Sequence, residues 1–261
     1  MTERLRRFLL ETAPGAPGGP ALAAEEEQHA RRVLRLSAGD RFEGLDGQGR
    51  AWEIEITRAD REGFGLRSLR ELASEARPGE KGARLPWIEV AASLPKGGRA
   101  EELVGRVTQL GIARLIPLST TRTAEAARES GPNRRARLER VAQEALKQSG
   151  RLWALEIGET RGLEALCAPP GREFLLLSPR APERLFDWTA ERARNAATWT
   201  EARPLCLLAG PEGGFTAEEH ARLVAGGAHE LWLGPHVLRI ETACEAAAAI
   251  LAAGFGRLAE S

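Results

Sequence analysis

The sequence predicts an α/β protein in which a small β-rich N-terminal module precedes a larger domain of alternating strands and helices. Three observations carry that prediction. Up to about residue 70, apolar residues alternate in short segments, the period of half-buried strands. From Trp87 onward, short apolar runs alternate with segments of helical period, the pattern of a parallel sheet covered on both faces. Between the two, "ELASEARPGEKGARLP" (71–86) is charged and carries Pro and Gly, as linkers do. The expected domains are 1–72 and 73–261.

In the first domain the strands are "RFEGLDG" from Arg41, "AWEIEITRA" from Ala51, with Trp52, Ile54 and Ile56 on one face, and "GFGLRSL" from Gly63. A helical segment, "AEEEQHARRVLRL" from Ala24, accompanies them. Strands this short point to a small barrel. In the second domain "WIEVAASL", "IARLIPL", "EFLLLS", "PLCLLA" and "ELWLG" read as strands. The helices are "RAEELVGRVTQLG", "NRRARLERVAQEALKQSG", a segment opening at Thr216 and a last one from Glu241. Thr216 with Glu219 three residues on forms the capping-box pattern.

Lys+Arg and Asp+Glu are both 37 among 261 residues, so no global basic charge announces a nucleic-acid partner. The balance is local: residues 1–72 hold 12 basic and 13 acidic side chains, residues 73–150 hold 14 and 9. Cys167, Cys206 and Cys244 lack ligand spacing, which predicts no metal site and free thiols. No apolar stretch approaches a membrane span, and the N-terminal apolar run is too short for a signal peptide, so a cytoplasmic location is expected.

Two turns stand out. "LLAGPEGGFTAEE", Leu207 to Glu219, is a strand, a glycine turn and a capped helix; it is a tight connection or a place where backbone meets a ligand. It has neither the Gly-Lys-Ser/Thr of a P-loop nor the spacing of a dinucleotide fingerprint. "LGPHVLRIETACEAAAAILAAG" follows a neighbouring strand, and both turns sit where ligands collect in open α/β sheets.

These paired C-terminal motifs, in this order, resemble the RsmE family, SPOUT-class RNA methyltransferases acting on N3 of a uridine in small-subunit ribosomal RNA. "SLPKGGRAEELVGRVTQLGIARLIPLSTTRT" and "RVAQEALKQSGR" are similar to that family's upstream segments, and "HARRVLRLSAGD" to its PUA-like barrel. The resemblance implies a C-terminal trefoil knot, S-adenosylmethionine as cofactor, 16S ribosomal RNA or the small subunit as partner, and a homodimer with the alanine-rich last helix at its interface. It implies cofactor contacts from Leu177, Leu208, Gly210, Glu212, Gly213, Leu233, Gly234, Leu238 and Thr242.

Arg239 is the expected catalytic group, because a guanidinium stabilises the uracil anion left when N3 loses its proton. A salt bridge to Glu241 that braces the loop is the alternative. No general base is assigned. Arg6, Arg32, Arg35, Lys96, Arg122 and Arg134 are the expected RNA contacts, with Arg4, Arg7, Arg137 and Arg151 on the same basic surfaces; plain solvated faces are the alternative. Rival readings are a SPOUT enzyme acting on a ribose hydroxyl or guanine, a non-catalytic RNA-binding protein, and a nucleotide-dependent oxidoreductase.

Overall fold

The computed structural model describes residues 5–123, 132–168, 170–195 and 198–256. The chain forms two compact units: one runs to Arg77 and also takes Leu146–Ala154, and the other comprises Pro78–Ala145 and the chain from Leu155 onward. A boundary drawn along the chain at 72/73 has no way to express the return of Leu146–Ala154. Those residues join the first unit because Leu146 and Leu152 pack with Leu45 and Ala51.

The first unit is a five-stranded sheet in the order β2-β1-β3-β4-β5: β1 Arg7–Thr12, β2 Ala21–Leu22, β3 Arg41–Leu45, β4 Arg50–Asp60 and β5 Gly63–Ser74. Strand β1 was not anticipated, although "RFLLET" alternates as a strand should, with Phe8 and Leu10 turned inward. Its short apolar run invites comparison with a leader, which hides the alternation. β5 extends to Ser74, into the stretch read as linker. Phe8, Phe42, Trp52, Ile54 and Ile56 form the core, with Ala30 of helix α1 (Ala24–Arg32).

Among the described residues, the second unit is built on an eight-stranded sheet whose pairings are all parallel. Its central strands are β6 (Ile88–Ala92), β7 (Arg114–Ser119), β10 (Glu173–Leu177), β12 (Leu205–Ala209) and β13 (His229–Trp232), in the order β13-β10-β12-β6-β7. Three two-residue strands at the margins, β8 (Glu156–Ile157), β9 (Arg161–Gly162) and β11 (Glu183–Arg184), complete it. β6 and β12 are buried throughout, as strands covered on both faces must be.

Among the described residues the remaining helices are α2 (Gly98–Gln109), α3 (Pro132–Ser149), α4 (Leu163–Cys167), α5 (Leu185–Arg194), α6 (Ala217–Ala225) and α7 (Ile240–Phe255). α7 turns Ile240, Cys244, Ala247, Ala248 and Leu251 into the main core, where alanines let it approach β6 and β12 closely. The thiols of Cys206 and Cys244 are fully buried. Burial raises both, Cys244 to about 12.

Candidate active site

Parallel pairing aligns the carboxyl ends of the central strands. Leu177 pairs with Leu231, Leu176 with Leu208, Leu208 with Ala91 and Ala91 with Ile116, so the loops that follow leave one edge together. The two glycine-bearing turns belong to this set. The ends of β10 and β13 and the loops after them line a half-open cavity of about 110 Å3, bounded by Leu177, Leu231, Leu233, Gly234, Val237 and Leu238, with Ser178, Pro179, His236 and Ala243 beside them. Four sequence-predicted residues, Leu177, Leu233, Gly234 and Leu238, thus meet in one apolar slot.

The loop after β12 is built differently. Leu208 is fully buried and packs with Ala91, Leu176 and Leu223, so its side chain is core rather than cavity lining. A Cβ on Gly210 would lie 2.9 Å from the Phe215 ring, and that close approach is what requires glycine there. Glu212 is exposed and ion-pairs with Arg99 at 2.9 Å. The carbonyl of Gly213 accepts from Arg122 Nη1. Thr242 is exposed in the first turn of α7.

The turn Thr120–Thr123 after β7 is held against this loop. Glu219 Oε1 accepts from Thr121 N–H (2.8 Å) and Thr121 Oγ1 (2.9 Å), while Oε2 accepts from Thr216 N–H (2.8 Å). Thr216 Oγ1 in turn accepts from Glu219 N–H, so the capping box expected from the sequence is present. Burial works against ionisation of Glu219, but these hydrogen bonds prevail and hold its carboxyl below the usual range. The Thr121 contacts span 98 residues of sequence and had no signal in it.

Arg239 is the N-cap residue of α7 and exposed; its carbonyl accepts from Ala243 N–H at 2.8 Å, while its guanidinium has no hydrogen bond or ion pair among the described residues. The alternative of a bracing salt bridge to Glu241 is therefore not what the structure holds. Glu241 is buried, 4% exposed, and its Oε2 accepts no hydrogen bond.

Lys96 is exposed, and Arg134 donates to the Pro95 carbonyl at 3.0 Å. With Arg122 and Arg239, these cations face no carboxylate within ion-pair distance among the described residues. Arg137, by contrast, pairs with Glu101. In the first unit Arg6, Arg32 and Arg35 are exposed, whereas Arg7 is tied to Glu43 at 2.8 Å. Arg151 departs from the expectation of a surface contact: burial pulls its pKa down to about 10, against the attraction of Glu75. Arg4 lies outside the described residues.

Strand-end loops around an apolar slot and two glycine turns make a ligand site at the edge of the sheet, and comparison with known families identifies the class as RNA methyltransferase. Residues 83–252 match the RNA methyltransferase domain family, and residues 22–65 match the RNA methyltransferase PUA domain. The chain belongs to the family of ribosomal RNA small subunit methyltransferase E. It is 30% identical to the Mycobacterium tuberculosis member over 92% of this chain and 88% of that protein. The identity to the Synechocystis member is also 30%, over 85% of this chain and 69% of the relative.

Among solved structures, a methyltransferase of Legionella pneumophila in complex with S-adenosylmethionine superposes with a TM-score of 0.77 at 25% identity, covering 98% of this chain and all of that one. The Neisseria gonorrhoeae ribosomal RNA small subunit methyltransferase E shares the fold, with a TM-score of 0.75 at 22% identity over 97% of this chain and 99% of that one.

Proposed function

We propose that this protein methylates N3 of a uridine in 16S ribosomal RNA with S-adenosylmethionine as the methyl donor, acting in the cytoplasm as a homodimer. The observation that carries the reading is the apolar cavity of Leu177, Leu233, Gly234 and Leu238 at the carboxyl edge of the sheet, whose lining residue Leu238 is followed directly by Arg239. The donor set fits the cofactor. Apolar walls suit a purine ring, and the main chain of the loop that follows β13 would offer hydrogen-bonding groups to its edge. Gly210, Glu212 and Gly213 form the neighbouring loop, and Thr242 stands at the start of α7. Leu208 supports this loop from the core.

When bound, S-adenosylmethionine supplies a methyl group on a sulfonium, open to attack by a nucleophile. The chain's own part is to make N3 that nucleophile. Loss of the N3 proton leaves charge on the imide, and the guanidinium of Arg239, adjoining the cavity residue Leu238, stabilises it. The positive end of α7 at Arg239 acts in the same sense. Lys96, Arg122 and Arg134 hold phosphates near the site. Arg6, Arg32 and Arg35 of the N-terminal RNA-binding unit do so elsewhere along the RNA. The trefoil knot and a dimer interface on α7 complete the proposal.

Mass-spectrometric mapping of RNA after incubation with S-adenosylmethionine tests it, using deproteinised 16S ribosomal RNA and small subunits in parallel. A methyl group on uridine N3 is expected. Methylation of a ribose hydroxyl or of guanine overturns the target, and failure to bind S-adenosylmethionine by calorimetry overturns the catalytic reading. Light scattering at micromolar concentration checks the dimer, which a monomer mass would reject.

A further inference from the structure

The capping box of α6 accounts for only part of what Glu219 does. Such a box needs one carboxylate or amide oxygen at its third helical position, and Oε2 meets that need through Thr216 N–H. Oε1 is engaged by Thr121, which belongs to a turn two strands away in the order β12-β6-β7. Three donors converge on one side chain, an arrangement that suits an acceptor-only group. A glutamine would turn an N–H toward one of those donors.

The turn so held is internally fixed as well. Thr120 N–H donates to Thr123 Oγ1 at 2.8 Å, and the two hydroxyls lie 3.0 Å apart. The residue it presents is Arg122, which donates to the Gly213 carbonyl and stays exposed. A guanidinium has five N–H donors, and this contact engages only one of its nitrogens. No carboxylate pairs with it among the described residues.

We propose that Glu219 is a positioning residue for RNA: it fixes the Thr120–Thr123 turn to the glycine loop so that Arg122 meets a phosphate of the strand entering the site. This rests on the RNA methyltransferase reading above. A rigidly presented planar guanidinium is suited to two-point phosphate contact, and fixing it before binding removes the ordering cost.

The test measures the affinity of in vitro transcribed 16S ribosomal RNA against salt concentration, with S-adenosylmethionine affinity and Tm in parallel. Arg122→Gln is expected to weaken RNA binding and reduce the salt slope by about one phosphate contact. Thr121→Val and Glu219→Gln are expected to weaken RNA binding about tenfold, as loss of a charge-assisted hydrogen bond does, with cofactor affinity within about twofold. Adding Thr121→Val to Arg122→Gln should cost nothing more. Thr216→Val, which removes the hydroxyl cap and leaves Thr121 in place, should lower Tm and spare RNA binding.

RNA affinity and salt slope unchanged in Thr121→Val and Glu219→Gln would overturn the proposal, as would Thr216→Val reproducing the RNA loss, since Glu219 would then be a cap alone. Failure of the wild-type protein to bind S-adenosylmethionine is a different outcome and strikes the functional reading instead.

Discussion

Arg239→Ala separates chemistry from architecture, because the structure states what the side chain does not do. Its guanidinium is exposed and contributes no side-chain cap to α7. It has no hydrogen bond or ion pair among the described residues. Removing it deletes no hydrogen bond or ion pair among the described residues, so the change in stability should stay within about 0.5 kcal/mol, or under about 2 °C in Tm. If the same group stabilises the imide anion, losing one preorganised charge-stabilising donor should slow methylation by about 10²–10³, equivalent to roughly 2.7–4 kcal/mol. Arg239→Lys should recover little, because an ammonium lacks the planar fork. The assay is single-turnover methylation at saturating cofactor, alongside calorimetric cofactor affinity and a thermal melt. The catalytic assignment is refuted if Arg239→Ala keeps the single-turnover rate while losing cofactor affinity, or if Tm and rate fall together.

The two glycines of the β12 loop should respond differently. Gly210→Ala drives a Cβ to 2.9 Å from Phe215 and should cost about 1–3 kcal/mol in denaturant unfolding. At Gly213 the nearest obstacle is Cδ of the exposed Arg122 at 3.3 Å, a contact relieved by a shift of a few tenths of an ångström, so Gly213→Val should hardly change Tm while weakening S-adenosylmethionine binding; equal losses of both would count against a cofactor role. Under native conditions a thiol reagent should modify Cys167, which is partly exposed, and reach Cys206 and Cys244 only on unfolding. Rapid modification of all three would contradict the packing. The folded-state pKa of Glu219 lies below the ordinary value of 4.5, so its stabilisation is present above pH 4.5 and fades as pH falls through the lower folded value. The Tm gap between wild type and Glu219→Gln should therefore narrow as the solution is taken below pH 4.5; a constant gap would mean that ionisation of Glu219 is not involved.

Local pattern alone determines much of this protein. The short apolar run "PLCLLA", followed by a glycine turn, fits a doubly covered strand, and the alternation of Trp52, Ile54 and Ile56 fits a strand with one face inward, because side-chain period follows from backbone geometry. The Thr216–Glu219 box is equally legible, since both partners lie within one turn of helix. The cavity residues Leu233, Gly234 and Leu238 were reachable because they sit in one short motif. The rest depended on contacts between residues far apart in the chain. Leu208 and Leu233 look alike in sequence, yet one is buried in the sheet and the other lines the cavity, because facing is set by register with neighbouring strands. An ion pair between Arg239 and Glu241 was open in the sequence as the alternative to a catalytic arginine, but the start of α7 leaves the first in solvent and buries the second. Leu146–Ala154 joins the first unit across some 70 intervening residues. Glu219 reaches Thr121 across 98 residues. Hydrogen bonds and packing act at ångström range, so only the parallel ordering of β12, β6 and β7, which brings their loops to one edge, decides which distant side chains come within it.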